Sequence, residues 1–168
     1  MKKIVVIVLV IILIFGGLLS TGILNFSKNS SEQILENSTD NSGITEPPFK
    51  KEGELTFLRN QQKLTIEIAD NDAETTQGLM FRRSMPDSCG MIFIMKENEP
   101  HSFWMKNTYI PLDIIFLDES KKIVTIQANT TPFSEAEVPS YEKAKFVLEV
   151  NAGYCKRKGI EKEDIVKW

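Results

Sequence analysis

A chain of 168 residues with 42% hydrophobic and 26% charged residues has material for one ordinary core and hardly for two. Lysines and acids balance through residue 52, so the net charge of −3 lies beyond it and leaves no electrostatic footprint for nucleic acid. The basic spots Arg82-Arg83 and Lys156-Arg157-Lys158 are short and flanked by acids, which makes them solvated surface.

In chain order, Lys2 and Lys3 precede an uncharged apolar run from Ile4 to Phe26, long enough to cross a bilayer as a helix. Residues 1–26 therefore read as a transmembrane anchor or signal segment. The anchor is preferred, because only Ser20-Thr21-Gly22 resembles a cleavage site. Lysines before the span and only Lys28 soon after it predict a cytoplasmic N-terminus. The expected location is the cell membrane, single-pass, with the remainder outside the cytoplasm, or secreted if the segment is cleaved. A buried core helix is the alternative, but nothing amphipathic breaks the run. Residues 27–52, rich in Ser, Asn, Thr, Glu and Pro, cannot repay the entropy of ordering and read as a disordered polar linker.

Residues 53–168 form the predicted globular domain, where the dominant period is two. In "LTIEIA", Leu64, Ile66 and Ile68 share one face while Thr65 and Glu67 share the other. Further short β-rich runs are "GMIFIM" (90–95), "LDIIFLD" (112–118), "IVTIQA" (123–128) and "KFVLEV" (145–150). The connection between Leu117 and Ile123 predicts an antiparallel hairpin. Two short helices interrupt the pattern: Asn71 and Glu74 have capping-box spacing, and Asn151 is placed to cap "AGYCKRKG", with Gly159 as its C′ residue. About eight strands and two short helices predict a mostly β (α+β) domain, an antiparallel β-sandwich or flattened barrel.

The runs "GLMFRRSMPDSCGMIFIM", "FWMKNTYIPLDIIFLD", "YEKAKFVLEVNAG" and "KGIEKEDIV" carry a resemblance. Over about residues 54–167 the chain resembles a prokaryotic family known as domain of unknown function 192. The resemblance implies a compact, mostly β, jelly-roll-like domain, often behind a signal peptide or anchor, and implies no activity. The chain departs from the family's usual pattern at Lys162 and Glu163, where Val-Gly is commoner, and at Cys89 and Cys155, which the family does not generally require.

The segment from His101 to Asp118 concentrates polar groups at the front of an apolar strand. Extended backbone puts Phe103 and Met105 on one side and Trp104 and Lys106 on the other. After Pro111, Asp113 shares its face with Ile115 and Leu117, and an unpaired buried carboxylate there is too costly. Lys106 and Arg82 are its candidate partners, and Glu149 is a second carboxylate. One account is a structural ion-pair network. The other is a ligand pocket: Arg82 and Lys106 bind an anionic group, Asn107 and Thr108 hydrogen-bond it, Trp104 stacks, and Asp113 and Glu149 complete the site. Trp with Asn, Asp and Arg also suits a saccharide of the cell envelope.

Two alternatives stay open. Asp113 and Glu149 could serve as the carboxylate pair of a glycoside hydrolase, if their separation allowed. Met80, Met85, Met91, Met95 and Met105, with Cys89 and His101, could bind Cu(I), though Met91 and Met95 alternate with Phe93 as core residues do. The preferred expectation is a binding module, leaning away from catalysis, with no cofactor and no assigned metal site. Cys89 and Cys155 could pair in an oxidising compartment or remain buried thiols.

Overall fold

The computed structural model describes residues 45–168. The predicted anchor and most of the predicted linker lie outside these residues, and among the described residues no helix is long and apolar enough to cross a membrane. Among the described residues there are seven strands and two short helices: β1 (Gly53–Phe57), β2 (Lys63–Ala69), α1 (Asp72–Gln77), β3 (Cys89–Phe103), β4 (Leu112–Leu117), β5 (Ile123–Gln127), β6 (Val138–Asn151), α2 (Tyr154–Lys158) and β7 (Val166–Lys167).

All seven strands belong to one sheet in the order β5-β4-β6-β3-β2-β1-β7. The mostly β architecture with two short helices is as expected, but the sandwich and jelly-roll forms are not. The sheet instead curls on itself, and an isolated antiparallel bridge between Lys122 and Ile165 links the chain beside β5 to the chain beside β7. Asp164 reinforces this closure: Arg59 pairs with it, the Glu161 amide donates to its Oδ2 at 2.9 Å, and Arg59 holds the carboxyl below the ordinary range. The β4–β5 hairpin is antiparallel, as predicted.

One pairing departs from the antiparallel rule. β2 runs parallel to β3, in register from Thr65–Cys89 to Ala69–Phe93. Parallel neighbours need a crossover rather than a tight turn, and residues 70–88 supply it with α1 inside.

Period-two alternation sorts the apolar residues onto the two faces of the sheet. Leu64, Ile66, Ile92, Ile115 and Leu148 pack in the inner cluster. Leu79, Met91, Phe93, Ile114, Phe116 and Val147 pack in the outer one. All six residues of β4 are buried, since it faces both clusters, and truncating Ile115 or Phe116 to Ala should cost about 2–5 kcal/mol. Residues 45–52, predicted as the end of the linker, make contacts with the domain. Phe49 packs against the outer cluster, the Lys50 amide donates to Glu67 Oε1 at 2.6 Å, and the Arg83 amide donates to Glu46 Oε1 at 3.0 Å.

Both helices end as their sequences require, but only one starts so. Asn71 Oδ1 accepts from the Glu74 amide at 3.1 Å, and Glu74 Oε2 accepts from the Asp70 amide at 3.3 Å. The expected cap of α2 by Asn151 is not made, because Asn151 Nδ2 donates to the Met85 carbonyl at 2.7 Å and Gly153 takes the cap position with φ 74°. Gly159, with φ 62°, closes that helix.

Candidate functional site

On the outer face, the β2–β3 crossover and the sheet enclose a cavity of about 380 Å³. One wall is the end of α1 and the turn after it, contributing Thr75, Thr76, Gly78, Leu79 and Met80. Gly78 is needed there, because its φ is 44° and an added Cβ would lie 3.3 Å from the Phe93 ring. The sheet contributes Phe93, Met95 and Glu149, and the mouth is formed by Ser102, Trp104, Thr108, Glu135 and Glu137.

Glu149 is the unusual member. It lies on β6 between Met91 of β3 and Ile114 of β4, two apolar register neighbours. Only 5% of the residue is exposed, and burial pushes its carboxyl up to about 8. Among the described residues no hydrogen bond or ion pair holds this side chain, so at neutral pH it is chiefly a protonated acid facing the cavity. The backbone at this point is tightly fixed, since a Cβ on Gly90 would meet the Glu149 carbonyl at 2.8 Å.

The mouth is held by the turn that follows β3. The Met105 amide donates to the Ser134 carbonyl at 2.8 Å, the Phe81 amide to the Asn107 carbonyl at 2.9 Å, and the Thr108 amide to the Met105 carbonyl at 3.1 Å. Phe81, Asn107 and Phe133 all adopt positive φ, a strained backbone that persists only where its surroundings impose it. Trp104 is 48% exposed, with Lys106 Nζ 5.1 Å from its ring centroid. That cation also faces Glu135 Oε1 at 3.9 Å.

Of the candidates expected from sequence, Trp104, Thr108 and Glu149 therefore line one cavity. Lys106 borders it through Trp104 and Glu135, and Asn107 through Met80, whose sulfur its Nδ2 faces at 3.9 Å. Arg82 and Asp113 stand elsewhere. Arg82 is buried against Glu67, with Nη1 to Oε2 at 2.7 Å and Nη2 to Oε1 at 2.9 Å, so its charge is already matched.

Asp113 takes neither expected partner. Its Oδ1 accepts from the Asn129 amide at 2.9 Å and the Gly153 amide at 3.0 Å, and its Oδ2 from the Cys155 amide at 3.0 Å. It thus does from β4 what a local side chain would do at the start of α2. The carboxylate pair imagined for glycoside cleavage is also undone. Asp113 is in register with Val150, not with Glu149, so the two carboxyls project to opposite faces of the sheet.

The methionines occupy packing positions on the outer side of the sheet. Met85, Met91 and Met105 fill the outer cluster, while Met80 and Met95 line the cavity. Cys89 and Cys155 are free and buried, and they belong to opposite clusters. Sequence reasoning missed Thr75, Thr76, Glu135 and Glu137, which lie outside the aromatic segment and reach the cavity only through the crossover and the loop before β6.

The profile of DUF192, described as an uncharacterized ACR, matches residues 55–168. Two solved structures are similar. One, given provisionally as a transcription regulator of Sinorhizobium meliloti 1021, is 40% identical, with 68% of this chain and 91% of that chain covered and a TM-score of 0.65. The other, a protein of unknown function from Novosphingobium aromaticivorans DSM 12444, is 35% identical, with 77% and 90% covered and a TM-score of 0.66. No curated protein matches the chain.

Proposed function

The chain belongs to the DUF192 family, and on its cavity we propose that it is a binding module for a small saccharide of the cell envelope, held outside the cytoplasm by the apolar segment of residues 4–26. The observation that carries this reading is Glu149, a buried carboxyl with no hydrogen-bond partner among the described residues, facing a cavity whose mouth bears a half-exposed indole. A protonated acid donates one hydrogen bond and accepts others, which suits a sugar hydroxyl. The hydroxyls of Thr75, Thr76, Ser102 and Thr108 offer more of the same exchange, and Trp104 offers a ring for the apolar face of the sugar. A cavity of about 380 Å³ lies in the ordinary range for small-ligand sites.

An anionic ligand is disfavoured. Arg82 is matched by Glu67, and Lys106 by Glu135 and the indole, while the acids Glu135, Glu137 and Glu149 line the cavity. A glycan array probed with the full-length chain and with its Trp104→Ala variant tests the reading. Retention of defined envelope saccharides by the wild type, lost in the variant, supports it. Equal retention by both, or by neither, removes it.

A further inference from the structure

Acids are the charged groups lining the cavity: Glu135, Glu137 and Glu149 are there, and no lysine, arginine or histidine lines it among the described residues. A sugar hydroxyl accounts for Glu149, but a neutral sugar gives no reason for two further carboxyls, Glu135 and Glu137, at the mouth. The mouth also shows how a cation fits, because the Lys106 ammonium rests over the Trp104 ring and beside Glu135. Aromatic face plus carboxylate is a general recipe for holding an ammonium. Deeper in, the unpartnered Glu149 side chain offers a second such place, walled by Phe93 and Leu79.

Resting on the saccharide reading above, we propose that the sugar this cavity takes carries an unacetylated amino group, whose ammonium docks against Glu149 while Trp104 covers the ring. The proton balance is explicit. Glu149 enters as the neutral acid, the ligand enters as the ammonium, and the complex holds a carboxylate paired with that ammonium, so one proton leaves Glu149 for solvent. The groups around Glu149 leave that proton to Glu149 itself. Met91 and Ile114 beside it and Thr75, Thr76 and Gln77 from α1 carry no charge, Glu67 beyond Met91 is paired with Arg82, and Glu135 and Glu137 are exposed at the mouth, the first facing Lys106. Burial raises the Glu149 carboxyl because no counter-charge is present, and the bound ammonium supplies one.

Titration calorimetry on the full-length chain at pH 6, where both the sugar amine and Glu149 carry their protons, in two buffers of different ionisation heat, tests this. The ligands are a β-1,4-linked glucosamine disaccharide and its N-acetylated counterpart. The free amine should bind at least about tenfold more tightly, as a desolvated ion pair allows, and its binding should release close to one proton. Glu149→Gln should bind both sugars alike with no proton release. Equal or stronger binding of the N-acetylated sugar by the wild type overturns this inference and leaves the saccharide reading standing. Binding of neither sugar overturns this inference, and the saccharide reading falls with it only if the array also retains nothing.

Discussion

Asp113 and Glu149 sit one register step apart on neighbouring strands, and each is a carboxyl taken almost wholly out of water. On the inner face, Asp113 receives three backbone amides and starts α2. On the outer face, Glu149 has apolar register neighbours, no polar partner among the described residues, and a cavity before it. The first carboxyl is consumed by the fold, so it has nothing left for a ligand. The second weakens the fold as the pH rises, and nothing among the described residues offsets that cost. A buried carboxyl is thus a functional clue in proportion to what remains unbonded around it.

Removing Asp113 should have the largest effect. Asp113→Ala leaves three amides without their acceptor, the Cys155 amide buried and the Asn129 and Gly153 amides partly so, and each hydrogen bond to a charged group is worth about 1.5–3 kcal/mol. A loss of about 4 kcal/mol or more in urea unfolding is expected, with α2 the first element to lose amide protection. Asp113→Asn should recover part of that loss, since an amide oxygen still accepts. If Asp113→Ala unfolds at the wild-type midpoint, the contrast between the two carboxyls is wrong.

Glu149 should behave in the opposite sense. Its folded value near 8 exceeds the usual 4.5, so the folded state holds the proton between those values while the unfolded chain releases it. Stability therefore falls as the pH rises from about 4.5 to 8 and is flat above that. Between pH 5 and pH 8 this amounts to about 3 kcal/mol, an upper figure if the site relaxes or takes up water. Glu149→Gln should erase that slope. Unfolding midpoints of the two proteins should differ least near pH 4 and most above pH 8. Parallel pH profiles would show that the carboxyl is hydrated or bonded in solution.

Much of the fold was legible because it depends on local alternation. "LTIEIA" and "LDIIFLD" announce their strands and faces, and the Asn71–Glu74 spacing announces a cap that is made. The single curled sheet was not legible, since it turns on which distant strands pair. The parallel β2–β3 register and the Lys122–Ile165 bridge have no local signal. The same reason divided the candidate site. Trp104 and Thr108, from the turn after β3, line one cavity with Glu149 of β6, whereas Arg82 found Glu67 on β2, whose charge alone gave no hint of that pairing. Asp113 was correctly placed beside Ile115 and Leu117, yet its partners are backbone amides that no side-chain pattern reveals.

The smallest predicted effect sharpens the comparison by setting a local cap against a remote one. α1 is capped by its own Asn71, whereas α2 depends on Asp113 from another strand. Asn71→Ala should cost about 1 kcal/mol, the usual value for a lost side-chain cap. No residue of α1 is buried, so loosening it leaves the core packing intact. Thr75 and Thr76 nonetheless belong to the cavity wall. Hydrogen exchange in Asn71→Ala should therefore quicken in residues 72–80 alone, and ligand affinity should fall by a few-fold as the wall pays its ordering entropy on binding. Affinity unchanged beside faster exchange would move the ligand off the α1 wall and toward Trp104 and Glu149.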